Sequence, residues 1–185
     1  MSLAVRSLLL AGLVLAGSAA ANQAQAAVTP VPVGQPLARF DNLKPGAHRY
    51  LRFKQTGETV RVADVWTREV RFEDQDGQRR LHIVQHWDGV GATPSDRQLD
   101  SWFEVGTFRP LTHVRRTQKD GVAKVEGFAF QPDRIVGLKD LPDNAAKDYD
   151  VASPQPSFNF ETDMEFLQAL PLAKGYEASI VFHHP

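Results

Sequence analysis

ETVRVADVWTREVRFEDQDGQRRLHIVQHWD, residues 58–88, decides the fold. Val, Phe, Trp and Ile alternate with charged residues at a period of two, the pattern of strands with two unlike faces. Within it the tetrad Asp74-Gln75-Asp76-Gly77 predicts a hairpin, because Asp and Gly accept the positive φ of a tight turn. Two long antiparallel strands follow directly.

The pattern extends on both sides. HRYLRFKQ (48–55) precedes it; LDSWFEV (99–105), PLTHVRRTQ (110–118) and VAKVEGFAFQ (122–131) follow, the last two joined by Lys119-Asp120-Gly121. The predicted fold is mainly β, a curved antiparallel sheet or open half-barrel with one short helix near the C-terminus. The helix is expected within FETDMEFLQAL (160–170), where Phe160, Met164, Leu167 and Leu170 fall near helical spacing. Thr162 and Glu165 stand at capping-box distance and Pro171 ends the run, which predicts two to three turns with Leu167 and Leu170 buried. KGYEASIVFHHP then reads as a final strand. Residues 27–47, with four prolines, read as an extended leader arm, and 140–157 as a long mobile surface loop.

The N-terminus predicts export. Arg6 precedes the apolar run Ser7–Gly17, and small residues lead to Ala24-Gln25-Ala26, the layout of a cleaved signal peptide over 1–26. The run is too short to span a bilayer, and no transmembrane segment is expected in the mature chain. The predicted compartment is periplasmic or secreted. The chain has no cysteine, which excludes a lipid-anchored cleavage site, disulfides, thiolate metal sites and Cys nucleophiles. Residues 48–185 form the predicted single β-rich domain, long enough for its own core. Lys and Arg number 21 against 22 acidic residues, with no concentrated basic run, so nucleic acid is not an expected partner.

No enzymatic motif stands out. His82 and His86 share a strand face but lie about 13 Å apart at a rise of about 3.3 Å per residue, too far for one zinc. His113 sits on another strand, and His183 and His184 diverge to opposite faces. No metal site and no cofactor is expected. There is no G-x-S-x-G elbow and no glycine-rich phosphate loop. Binding surfaces are more informative. In residues 60–72 one face carries Val60, Val62, Trp66, Val70 and Phe72, interrupted by Asp64 and Arg68. Charges on an apolar face suit a partly wet groove, unless neighbouring strands supply partners. Trp102 lies on the polar face of its strand, suited to a contact surface or a stack over Arg stems. The candidate ligand-binding residues are therefore Trp66, Asp64, Arg68 and Trp102.

Three strings resemble an exported bacterial family catalogued as a domain of unknown function: WFEVGTFRPL (102–111), GFAFQPDRIVG (127–137) and FNFETDMEFLQALPLAKGY (158–176), the resemblance running over about residues 100–185. It implies a secreted or periplasmic β-rich fold with no catalytic residues to transfer. Relatives typically continue beyond the F-x-H-P element, so a short or truncated C-terminus and an unclosed sheet are expected. The favoured function is a non-enzymatic binding or accessory role toward an apolar or amphipathic small molecule or lipid. One alternative is an envelope hydrolase or metal-dependent enzyme using His82, His86 or His113. The other is a structural domain that pairs with a protein partner through its open sheet edge.

Overall fold

The computed structural model describes residues 28–90 and 95–184, and the predicted signal peptide lies outside the described residues. After a two-residue strand β1 (Thr29–Pro30), eight strands follow as a meander: β2 (Gly46–Thr56), β3 (Thr59–Gln75), β4 (Gln78–Gly89), β5 (Ser95–Glu104), β6 (Pro110–Lys119), β7 (Val122–Phe130), β8 (Arg134–Gly137) and β9 (Asp150–Ala152). They lie side by side in chain order, each pair antiparallel, in a sheet that does not close. The turns follow the residues that predict them. Asp76 and Gly77 have φ of 52° and 73°, Asp120 and Gly121 of 51° and 77°. Two successive positive φ values match the twist of the flanking strands.

One face of the sheet, here the inner face, is covered at one end. Leu81 and Ile83 of β4 and Phe103 of β5 are fully buried there, beneath helix α1 (Asp163–Gln168). Phe166 packs its ring 4.2 Å from Phe158 and 5.5 Å from Phe108, and Phe108 lies 4.5 Å from Phe103. The Pro-rich segment read as a leader arm holds the short strand β1, a 3-10 turn at Phe40–Asn42 and the start of β2, and it is not peripheral. Its Leu37, Phe40 and Leu43 belong to this core, because they are the apolar residues that cover what the short helix leaves bare.

The helix differs from expectation in three respects. It has six residues, preceded by a 3-10 turn at Phe160–Thr162. Leu167 is 39 % exposed, whereas Phe166 and Leu170 are buried: a helix this short presents one narrow stripe, and Phe166 occupies it. Thr162 donates its hydroxyl to the Asn159 carbonyl (3.0 Å) rather than capping, and Glu165 turns to the sheet. Asn159 is the side chain that accepts from the Glu161 N–H, at 3.1 Å.

Residues 140–157 are docked rather than mobile. The Asn144 amide donates to the Gly127 and Leu138 carbonyls (3.0 and 2.8 Å) and accepts from the N–H of Gly127 and Ala146 (2.9 and 3.0 Å). A Cβ at Gly137 would stand 1.9 Å from the Ala146 carbonyl oxygen, so only glycine permits this approach. The final segment forms two isolated pairings instead of one strand. β10 (Phe158–Asn159) pairs in parallel with β12 (Phe182–His183), and β1 with β11 (Ala178–Ser179).

Candidate functional site

Beyond the helix the inner face continues uncovered, and its residues change from apolar to charged. Asp64 and Trp66 of β3, Trp87 of β4, Arg97 of β5, Arg115 and Thr117 of β6 and Glu126 of β7 fall in cross-strand register on this face. All of these except Trp66, with Arg52 of β2 and His184 of the C-terminal segment, border a groove of about 760 Å³. Trp87 is part of its lining, with the Arg52 guanidinium 4.4 Å and the Arg97 guanidinium 5.1 Å from its ring. Trp66 is tilted against it at 4.7 Å.

Both charges that interrupt the β3 pattern have partners. Arg52 donates Nε to Asp64 Oδ1 at 2.7 Å and its Nη2 to Oδ2, a bidentate pair that raises the Arg52 pKa. Arg68 is 1 % exposed; its Nε donates to Glu165 Oε1 at 2.7 Å, its Nη2 to Glu165 Oε2 and to the Glu161 carbonyl, and its guanidinium stacks 4.3 Å from the Trp66 ring. This pair ties α1 to the sheet at the border between core and groove. Gln85 reinforces it, donating to the Glu161 carbonyl at 2.6 Å and accepting from Trp66 Nε1 at 3.2 Å. The Glu161 carboxylate is a hub: Arg115 at 3.2 Å, Arg97 at 3.4 Å and His184 at 3.4 Å converge on one oxygen. Arg97 has its pKa lowered by burial, opposed by Glu161 and aided by Arg115. Glu126 also feels burial, which raises its pKa, but Lys124 and Arg115 together bring it below the usual range.

Val60 and Val62 do not share this face. The β2–β3 register shifts between Arg52 and Phe53, with one extra residue on β3. Residue parity therefore reverses, so Val62 and Val60 pair with Phe53 and Gln55 on the outer face. There Leu51, Phe53, Val60 and Val62 are exposed, while Lys54, Thr56, Thr59 and Arg61 line a smaller cleft that continues the inner face.

Trp102 stands apart from Asp64, Trp66 and Arg68. It lies on the outer face, stacked on His82 at 3.9 Å with ring planes 8° apart. His82 Nδ1 is 2.8 Å from Glu73 and Nε2 2.9 Å from Asp100, so an imidazolium satisfies both carboxylates. Burial lowers the His82 pKa, but the hydrogen bonds and charges of Asp100 and Glu73 outweigh it and raise it above its ordinary value.

The three histidines of the enzymatic alternative are separate. His86 has its own partners on the outer face, Asp96 at 3.0 Å and Asp88 at 3.5 Å, and these three could hold a metal by spacing alone. Both imidazole nitrogens already face carboxylates, so each has a polar partner without a metal. His113 points to the inner face, with Nδ1 2.8 Å from Ser101 Oγ. Neither residue of that pair is exposed, and burial, with Arg115 and Arg97, pushes the His113 pKa down to about 3.

The residues that sequence reading passed over are Arg52, Trp87, Arg97, Arg115, Glu161 and Glu165. Trp87, Arg97 and Arg115 were open to the period-two argument already used on β3, applied strand by strand once the register was known. Glu161 and Glu165 carried a weaker signal, two acids four apart beside the predicted helix.

These features define an antiparallel β-sheet domain with a plugged apolar end and an open, charged, aromatic-floored end. The chain belongs to the DUF3108 family, described as a protein of unknown function, whose profile matches residues 49–185. Comparison with curated proteins and with solved structures returns no match. No helix among the described residues is long and apolar enough to cross a membrane.

Proposed function

We propose that this is an exported cell-envelope protein whose β-domain binds an amphipathic small molecule or lipid without transforming it, in the open end of the inner face. The observation that carries this reading is the groove of about 760 Å³ floored by Trp87 between two guanidinium groups. That volume lies within the range of small-molecule sites, and an aromatic floor beside directed cations offers one surface for a chain and another for a polar head. The one Ser–His pair found among the described residues is sealed inside the sheet. Export rests on the charged, apolar and small-residue order of residues 1–26, and N-terminal sequencing of exported protein should begin near Ala27.

Tryptophan emission tests the binding site. Titration with a lysophospholipid below its micelle concentration should give a saturable change that persists in Trp102→Phe and disappears in Trp87→Phe. No saturable change, or one carried by Trp102, overturns the reading.

A second reading has its own observation. Leu51, Phe53, Val60 and Val62, 43–61 % exposed, form an apolar patch on the outer face of the β2–β3 hairpin, at an open sheet edge. It suits pairing with a protein partner. Self-association seen by analytical ultracentrifugation and abolished by Phe53→Glu would favour it.

A further inference from the structure

Resting on the groove reading, we infer that the group recognised at the open end is the phosphate-class anion of an acidic amphiphile, read by Arg97 and Lys119. The groove carries five Lys and Arg side chains, Arg52, Arg97, Arg115, Lys119 and Lys124, against the carboxylates of Asp64, Asp120 and Glu126. The pairing among them is uneven. Asp64 is held in both oxygens by Arg52, and Glu126 serves Lys124 at 2.7 Å and Arg115 at 3.1 Å. Among the described residues Arg97 has one ion pair, at 3.4 Å, to a carboxylate oxygen it shares with Arg115 and His184. Lys119 has no ion pair among the described residues. Thus the groove has two cations whose charge is poorly met, on neighbouring strands of one wall.

The basic character continues past the groove. The extra residue in β3 turns Lys54 and Arg61 to the inner face at the sheet tip, where they share a cleft with Thr56 and Thr59. Neither Lys54 nor Arg61 makes an ion pair among the described residues. Like charges gathered without counter-charge repel one another, and an incoming anion relieves that repulsion. Phosphate, with several oxygens, fits spread donors of this kind: a planar guanidinium, a flexible ammonium and the hydroxyl of Thr117. The Trp87 ring beneath offers apolar contact to the part of the ligand that bears the head.

Calorimetric titration of the mature protein with three probes tests this: dihexanoyl phosphatidic acid, dihexanoyl phosphatidylcholine and inorganic phosphate, each below any micelle concentration. The acidic lipid should bind at least about tenfold more tightly than the zwitterionic one, the scale of one charge-assisted hydrogen bond. That advantage should shrink with added salt. Arg97→Gln and Lys119→Gln should each remove much of the advantage, weakening the acidic lipid more than phosphatidylcholine. Lys119 is exposed, so its variant does not depend on the fold tolerating the change. Equal binding of the two lipids overturns the inference and leaves the groove reading standing. Inorganic phosphate binding as tightly as the acidic lipid, and lost in Arg97→Gln, keeps the anion site and overturns the amphiphile. Failure of all three probes overturns both.

Discussion

The same strands build two unlike ends of the inner face. At the covered end β4 and β5 present Leu81, Ile83 and Phe103; a few residues along the same strands, on the same side, they present Trp87 and Arg97. What changes is the cover. Helix α1 and residues 37–43 sit over the first end and exclude water, so apolar side chains dominate there and polar ones such as Ser101 and His113 are buried as a hydrogen-bonded pair. The second end is more open, and its charged side chains either meet water or, like Asp64 and Arg115, are held in ion pairs. The contrast teaches that a period-two pattern assigns side chains to a face, whereas burial on that face depends on which distant segments fold over it. Arg68 marks the frontier, buried and paired to a residue 97 positions away.

Substitutions at the covered end and at the frontier should have the largest effects. Phe166→Ala should cost about 3–5 kcal/mol in denaturant unfolding, the usual cost of emptying a buried aromatic site. Glu165→Ala should cost a similar amount, about 3–5 kcal/mol, because it leaves the Arg68 cation buried without its partner. The pair Arg68→Met with Glu165→Leu should recover most of that loss, since it removes the stranded charge. If Glu165→Ala alone is nearly neutral, the helix is not pinned at this point and the frontier dissolves.

A smaller effect is expected on the outer face and depends on pH. The folded-state pKa of His82 is raised above 6.5, so its stabilising contribution is full below that value and is lost as pH rises through the folded pKa. The stability gap between wild type and His82→Gln should therefore be widest below about pH 6.5 and close as pH rises into the alkaline range. His113 has the opposite sign. Its folded pKa is near 3, so protonating the unfolded chain below pH 6.5 costs stability as acidity increases. His113→Gln should remove that acid-side slope, and a gap that grows with rising pH in His82→Gln would reverse the assignment. The smallest effect is expected at Leu167, where partial exposure limits the cost of Leu167→Ala to under about 1 kcal/mol.

Much of the sheet was legible in the sequence because its rules are local. Asp-Gly pairs produced the two tight turns, and alternation set Trp102 apart from the buried Leu99, Ser101 and Phe103, although Val105, of the same parity, is exposed past the register shift at Trp102/Phe103. Non-local features were harder to read. The extra residue in β3 that turns Val60 and Val62 outward leaves no mark in composition, since it depends on the β2 register. Leu37, Phe40 and Leu43 resembled loop residues because nothing near them in sequence reveals the uncovered core they fill. Of the candidate site, Asp64, Trp66 and Arg68 were visible as charges and an aromatic on one face. Their partners Arg52 and Glu165 required the fold.

Hydrogen exchange followed by mass spectrometry, with and without a saturating acidic short-chain lipid, tests the central division between a closed core and an open binding end. Added protection is expected at the open ends of β3 to β7, around residues 61–66, 86–89, 96–98 and 115–124, with no change across residues 37–43 and 163–170. Protection concentrated in those last two segments would place the ligand in the covered end and refute the division.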